Sequence, residues 1–195
     1  AREAYLNYIA QVRGNIRNVI AVAPEETRTT TQMYNLPEGG FNGDIYFKGA
    51  WFLHTLRYVM GDDPAFFRAL KSILYPAGID LARDPADAFR WVSTDDVIAA
   101  FQRETDMDLA PYAAVYLRQP ALPVLHVESG FSDIRFRWEL PEGALPDGMV
   151  FEMPVHTSHG LVPMPGGEGQ MGLPRNRLQV DTTVALFEVA TPVSE

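Results

Sequence analysis

The stretch "GDIYFKGAWFLHTL", residues 43–56, runs from a glycine-rich loop directly into an aromatic-rich segment. From Ile45 to Met60 the apolar residues cover a wide stripe at helical spacing, which predicts a largely buried helix. Tyr46 and Lys48 stand at the beginning of this helix, where the polar loop gives way to the apolar stripe. Their position makes them the first candidates for chemistry in this chain.

Around this helix, residues 1 to about 120 show helical spacing. Before it comes a polar, turn-rich loop, "APEETRTTTQMYNLPEGGFNGD". After it, we expect Asp63 to cap a helix that has Pro64 at its first position, and Ser93 or Thr94 to cap another. A first helix is predicted from apolar residues at helical spacing, namely Tyr5, Ile9, Val12, Ile16 and Ile20.

Beyond "RQPALP", residues 118–123, the period changes from helical to two. "DIRFRWEL" places Ile134, Phe136 and Trp138 on one face of a strand and charged residues on the other. Further short strands are predicted in "MVFEMPVHT", "GLVPM", "GQMGL", "RLQVDTT" and "VALFEV". Such spacing is typical of an antiparallel β-sandwich. We therefore predict an α+β chain with a helical region at 1–120, a β region at 121–195, and a boundary near Gln119 to Pro123.

The composition limits the partners. The formal net charge of -9 argues against nucleic acid and against an anionic membrane surface. No apolar run approaches the ~20 residues that a membrane span needs. The sequence opens without Met or a signal peptide, close to a helix, as a fragment of a longer protein would. Localisation signals would then lie upstream, and the sequence leaves open whether the protein is exported or cytoplasmic.

Motifs for metal or nucleophilic chemistry are missing from the sequence. Of the histidines (His54, His126, His156 and His159), only the last two are close, and on a strand their spacing puts them on opposite faces. No acidic residue completes a metal set with them. The patterns G-x-S-x-G and G-x-x-x-x-G-K-[ST] are absent as well. From the residues alone, the favoured interpretation of Tyr46 is structural: its ring packs under the loop and its hydroxyl bonds to backbone.

Two longer segments add a resemblance. "DIYFKGAWFLHTLRYVMGDDPAFFRAL" resembles the zinc aminopeptidase family that includes aminopeptidase N, whose Y-x-K-G motif matches Tyr46, Lys48 and Gly49. "STDDVIAAFQRETDMDLAPYAAVYLRQPALPVLHV" resembles the next block of the same family. The chain departs from the family pattern in having Tyr116 where Trp is usual and Ala121 where Gly is usual.

The resemblance implies the helical end of a thermolysin-like catalytic domain followed by a β-sandwich. It also implies a zinc-dependent hydrolase that removes N-terminal residues from peptide substrates. The zinc ligands and the general base would precede residue 1, so this chain would bind no metal and would be inactive alone. Of the catalytic residues only Tyr46 would be present, donating a hydrogen bond to the oxyanion of the intermediate. For Lys48 we expect an ion pair with an acid of the missing segment, the alternative being a solvated side chain.

Two other interpretations remain open. One is a non-catalytic α+β interaction module on the same scaffold. The other is a β-sandwich that binds carbohydrate or peptide, which requires an aromatic platform on its surface. Its aromatic residues predict a core instead; they are Phe131, Phe136, Trp138, Phe151 and Phe187. We also expect the apolar sides of the first helix and of the helix from Ile45 to promote self-association.

Overall fold

A computed structural model describes residues 2–75, 77–78, 91–174 and 176–190. The helices come first along the chain: α1 (Arg2–Arg13), α2 (Thr30–Tyr34), α3 (Asp44–Met60), α4 (Asp63–Leu74), α5 (Thr94–Gln102) and α6 (Ala110–Leu117). The strands follow: β1 (Val124–Ser129), β2 (Asp133–Glu139), β3 (Val155–Thr157), β4 (Gly160–Val162), β5 (Glu168–Gly172) and β6 (Glu188–Val189). The predicted order of a helical region and then a β region is confirmed for the described residues. Both predicted ranges also contain residues outside this description, including 79–90 and 191–195.

The long helix α3 matches its prediction closely. It begins at Asp44 and ends at Met60, where Gly61 takes the left-handed conformation with a φ of 62° and donates its N–H to the Arg57 carbonyl. Its buried side chains recur at helical spacing and form one stripe: Asp44, Lys48, Trp51, Phe52, Thr55, Leu56 and Val59. The stripe therefore includes two charged residues as well as the apolar ones.

Helix caps explain two further boundaries. Ser93 caps α5, which confirms one of the two predicted alternatives. Its hydroxyl accepts a hydrogen bond from the Asp96 N–H, and the Asp96 carboxylate accepts one from the Ser93 N–H. The predicted cap of α4 is wrong by one residue. Asp62 accepts the Ala65 N–H at 3.0 Å, and Asp63 is the first helical residue. Asp63 instead pairs with Arg57, with Nη2 and Oδ2 2.5 Å apart.

The first helix is shorter than predicted. It ends at Arg13, and Gly14 follows, which is a poor helix former. The Asn15 side chain then donates to the Gln11 carbonyl, and Asn18 has a positive φ of 55°. Ile16 and Ile20 therefore belong to the connection rather than to the helix. α1 itself is anchored on α3, because the Trp51 indole donates to the Ile9 carbonyl at 2.8 Å.

The strands form a four-stranded sheet of order β5-β2-β1-β6 and a β3-β4 hairpin. β1 and β2 pair antiparallel with Leu125 opposite Trp138, and β2 pairs antiparallel with β5. The prediction of a purely antiparallel arrangement is wrong, because β6 runs parallel to β1 with Val189 opposite Leu125. The segments "MVFEMPVHT", "RLQVDTT" and "VALFEV" contribute less strand than predicted: residues 155–157, an isolated bridge at Val180, and residues 188–189.

The core is continuous across the two regions. One cluster of buried residues contains Trp51 and Phe101 of the helices together with Phe136 and Phe187 of the β region. Polar bonds join the regions as well. The Tyr116 hydroxyl donates to the Leu186 carbonyl at 2.6 Å. The two regions therefore share one interior.

Candidate functional site

Tyr46 lies in the first turn of α3 and presents its phenol to the surface. Its side chain is 54% exposed, although most of the helix after it is buried. The turn into the helix depends on Gly43, because a Cβ added there would lie 2.7 Å from the Phe47 ring. The backbone N–H groups of Tyr46 and Phe47 both donate to the Gly43 carbonyl at 2.9 Å. The glycine at the end of the loop thus allows the helix to begin two residues before Tyr46.

Two other aromatic rings flank Tyr46, and together the three residues form what we call the aromatic cluster: Tyr34, Phe41 and Tyr46. The Phe41 and Tyr46 rings are stacked with centroids 6.0 Å apart, and the Tyr34 and Tyr46 centroids are 6.3 Å apart. All three side chains are exposed at the surface. A hydrogen bond with Tyr34 raises the pKa of Tyr46, so the phenol is neutral at pH 7. This placement differs from the structural interpretation, in which the Tyr46 hydroxyl bonds to backbone.

The loop before α3 is ordered by its own hydrogen bonds. Asn42 is buried, its side chain donates to the Met33 carbonyl at 3.0 Å, and its N–H donates to the Tyr34 carbonyl at 2.8 Å. The Leu36 N–H donates to the Gly40 carbonyl at 2.9 Å and closes the turn between them. The sequence pattern predicts only a polar loop here, so Tyr34 and Phe41 were not among the predicted site residues. Two aromatic residues within a polar loop were the signal that could have identified them.

Lys48 is fully buried, with 0% exposure. Its ammonium group donates to the carbonyls of Gln119 and Pro120, at 3.0 and 2.7 Å. Burial lowers the pKa of Lys48 to about 8, and the nearby Asp44 carboxylate acts in the opposite direction. The solvated alternative for Lys48 is therefore wrong, whereas an ion pair with an acid of a segment before residue 1 stays a prediction. The side chain is neither solvated nor, among the described residues, joined to an acid at ion-pair distance; it binds the connector between the two regions.

Asp44 lies one turn before Lys48 on the same face of α3, and it is also buried. Its two carboxylate oxygens accept the N–H groups of Arg17 and Asn18, at 2.8 and 2.6 Å. These residues belong to the segment that follows α1. Asp44 therefore attaches the first turn of α3 to that segment, as Lys48 attaches it to the connector.

The described residues do not fit a zinc ion. In that part of the chain, no three His, Cys, Asp or Glu side chains are placed to hold a metal. His54 is already engaged: its Nε2 donates to the Thr183 carbonyl at 2.9 Å, so its Nδ1 accepts from the Tyr5 hydroxyl at 2.8 Å. His126 pairs with Glu139 at 2.5 Å. His156 lies in β3 against the Tyr58 ring and His159 lies in the turn after it, not on the opposite face of one strand as predicted.

The aromatic residues of the β region are core with one exception. Phe136, Trp138, Phe151 and Phe187 are buried, and the Trp138 indole donates to the Met153 carbonyl at 2.8 Å. Phe131 was predicted in the core, but it lies fully exposed in the turn between β1 and β2. These five residues therefore form no surface platform of the kind that a carbohydrate-binding sandwich requires.

A groove of about 700 Å³ lies on the sheet and was not predicted. Its charged lining comes from neighbouring strands: His126 and Glu128 of β1, Arg135 and Arg137 of β2, and Glu168 of β5. Pro163 and Pro165 line it too. The alternating charges of β2 gave the sequence signal for this polar face. Acids and bases are intermixed there, so the groove does not select one charge.

Comparison with known proteins adds no assignment. No protein-family model matches the chain, and no curated protein sequence is significantly similar to it. Among the described residues, no helix combines the length and apolarity needed to cross a membrane. The functional argument therefore depends on the residues and on their geometry.

Proposed function

We propose that the chain is part of a zinc-dependent aminopeptidase, which removes N-terminal residues from peptides, and that Tyr46 is its oxyanion-stabilising residue. The observation that carries this proposal is the placement of Tyr46: a half-exposed, neutral phenol on a helix whose opposite face is buried. In this proposal the helical region is the end of a thermolysin-like catalytic domain, and the β region is the β-sandwich domain that follows it.

Peptide hydrolysis requires a hydrogen-bond donor near the carbonyl oxygen that is attacked. When water attacks a peptide carbonyl, negative charge develops on the carbonyl oxygen, and a donor already in place stabilises that charge. A phenol suits this role because it is uncharged at neutral pH and has only two side-chain torsions. The hydrogen bond with Tyr34 raises the pKa of Tyr46, so the phenol keeps its proton at neutral pH. Stacking on Phe41 restricts the ring further.

The metal belongs to another part of the enzyme in this proposal. The residues described in the structure offer no set of three ligands, so they assign no zinc site to this chain. We expect the isolated chain to hold no stoichiometric zinc after dialysis and to hydrolyse no aminoacyl substrate. One tightly held zinc per chain, or measurable turnover, would contradict this division of roles.

The test is Tyr46→Phe in the complete enzyme. The substitution removes one hydroxyl and keeps the ring, and a donor that acts on transition-state charge contributes little to substrate binding. We expect kcat to fall by about 10²–10³ and KM to stay nearly unchanged. The matched control is Tyr8→Phe, since Tyr8 is 63% exposed on α1 and should leave kcat unchanged.

A normal kcat in Tyr46→Phe, with the enzyme folded and saturated with metal, would overturn the proposal. The parent sequence gives an independent test, because the proposal requires an H-E-x-x-H motif with a later Glu before residue 1. Without that motif the chain would not be part of an enzyme of this kind.

A second candidate is the non-catalytic α+β interaction module, and the exposed aromatic cluster favours it. Contiguous exposed rings on an ordered loop are typical of surfaces that bind protein partners. The module requires partner binding that Phe41→Ala weakens, with no hydrolysis by the parent. The aminopeptidase requires hydrolysis that depends on the Tyr46 hydroxyl. Self-association through exposed apolar surface stays a prediction, tested by sedimentation of the isolated chain.

A further inference from the structure

We propose that Lys48 and Asp44 are positioning residues for Tyr46, because they attach the first turns of α3 to two other chain segments from the side opposite the phenol. The catalytic consequence rests on the proposed function. The positioning itself is a property of the fold and can be tested in this chain.

The helical geometry places the three residues on two sides. Residues four apart lie on one face of a helix, so Asp44 and Lys48 point to the same side. Tyr46 is two residues from each, which is about 200° around the helix. The exposures agree with this, because Asp44 is 2% and Lys48 0% exposed whereas Tyr46 is 54% exposed. Any movement of the buried pair therefore moves the phenol.

Lys48 makes the first attachment. Its bonds go to the carbonyls of Gln119 and Pro120, which lie between the end of α6 and the beginning of β1. Charge-assisted hydrogen bonds in a buried place are strong, because water does not compete for the donor or the acceptors. Although burial lowers its pKa to about 8, the ammonium group remains protonated at pH 7 and donates both bonds.

Asp44 makes the second attachment. It accepts the N–H groups of Arg17 and Asn18 in the segment after α1, where Asn18 has its positive φ of 55°. A carboxylate in the first turn also interacts favourably with the positive end of the helix. The start of α3 is therefore attached on its buried side to the segment after α1 by Asp44 and to the connector by Lys48.

A role for the β region follows from these contacts. The connector that Lys48 binds runs directly into β1, so the docking of the β region determines where the two acceptor carbonyls lie. The position of Tyr46 is then coupled to the docking of the β region. Among the described residues, the Tyr46 ring contacts the rings of Tyr34 and Phe41, and neither residue belongs to the β region. This gives the β region a function in supporting the site.

The experiment follows the Tyr46 ring by NMR in the isolated chain, with tyrosine labelled with ¹³C at Cζ. The chain contains eight tyrosines, and the Tyr46 signal is assigned by its loss in Tyr46→Phe. The variant is Lys48→Met, which keeps a long side chain and removes the ammonium group. The control is the same substitution at Lys71, which is exposed on α4.

We expect the Tyr46 signal to shift or broaden in Lys48→Met, to return toward its original position in Lys48→Arg, and to stay unchanged in Lys71→Met. If Lys48→Met does not fold, Pro120→Gly provides a second route, since it loosens the connector without changing any residue of α3, and it should also move the Tyr46 signal. If Lys48→Met folds and its Tyr46 signal stays unchanged, the inference is overturned. If Lys48→Met does not fold, an unchanged Tyr46 signal in folded Pro120→Gly overturns it instead.

The complete enzyme separates this inference from the proposed function. If both hold, Lys48→Met lowers kcat by about 10- to 100-fold with little change in KM, because small displacements of a positioned group are costly. If the Tyr46 signal moves but Tyr46→Phe keeps a normal kcat, the proposed function fails and the positioning stands.

Discussion

The two faces of α3 differ although they share one short sequence. On the exposed face, the Tyr46 ring contacts the rings of Tyr34 and Phe41, and its hydroxyl shares a hydrogen bond with Tyr34 at the surface. On the buried face, Lys48 and Asp44 each make two bonds to backbone groups of distant segments. Residues two apart thus have opposite surroundings. A polar side chain at the start of a buried helix can serve function or scaffold, and its contacts decide which.

The largest effect should come from the buried face. Lys48→Met removes the donor from the carbonyls of Gln119 and Pro120, and each buried acceptor left without a partner costs free energy. We expect the free energy of unfolding to fall by about 2–4 kcal/mol, measured by urea denaturation at pH 7. Lys71→Met, the exposed counterpart, should change it by less than about 0.5 kcal/mol. Equal effects of the two substitutions would mean that the buried bonds of Lys48 contribute no more to stability than an exposed lysine does.

The pH dependence of the unfolding free energy gives a second test of the buried face of α3. Burial lowers the pKa of Lys48 in the folded chain to about 8 from its ordinary value of 10.5, so above pH 8 the unfolded chain binds more protons. Stability contributed by this group should therefore rise with pH, by about 2 kcal/mol between pH 7 and pH 9.5. Above pH 10 the raised pKa values of Tyr58, Tyr112 and Tyr116 act in the opposite sense, which sets the upper limit of the measurement.

Lys48→Met is the control for this prediction, because the rise should disappear with the ammonium group. Urea denaturation at several pH values compares the two proteins directly. A rise of the same size in the variant would assign the pH dependence to other groups.

Thr55 extends the buried face toward the β region and should have a smaller effect. Its hydroxyl donates to the Trp51 carbonyl at 2.9 Å and accepts the Leu186 N–H at 3.0 Å. Thr55→Val keeps the shape but leaves the Leu186 N–H without its partner, so we expect a loss of about 1–2 kcal/mol in unfolding free energy. Amide exchange of Leu186 should become faster in this variant. Unchanged exchange would mean that the docking of the two regions does not depend on this bond.

Local patterns in the sequence were sufficient for the helices of the first region. The predicted span from Ile45 to Met60 differs from the observed α3 by one residue, because the apolar stripe and the glycines at both ends act within a few residues of one another. The Ser93 cap was predictable for the same reason. α1 was predicted too long because the apolar spacing continues past Gly14, where the backbone leaves the helix.

Long-range partners were not predictable in this way. The acceptors of Lys48 lie 71 and 72 residues further along the chain, and no local pattern identifies two backbone carbonyls as the partners of an ammonium group. The parallel pairing of β6 with β1 is a contact of the same kind. The tyrosine of the candidate site was identified by its motif, whereas Tyr34 and Phe41 were missed, because their proximity to Tyr46 depends on how the loop folds.

The most direct test of the account is the unfolding free energy of Tyr46→Phe in the isolated chain, measured beside that of Lys48→Met. If the Tyr46 hydroxyl serves catalysis and not folding, its loss should change the free energy of unfolding by less than about 0.5 kcal/mol. A hydroxyl that serves the scaffold through a buried bond would instead cost about 1–3 kcal/mol. The account predicts the small change at Tyr46 and the large loss at Lys48. A loss at Tyr46 as large as that at Lys48 would contradict it.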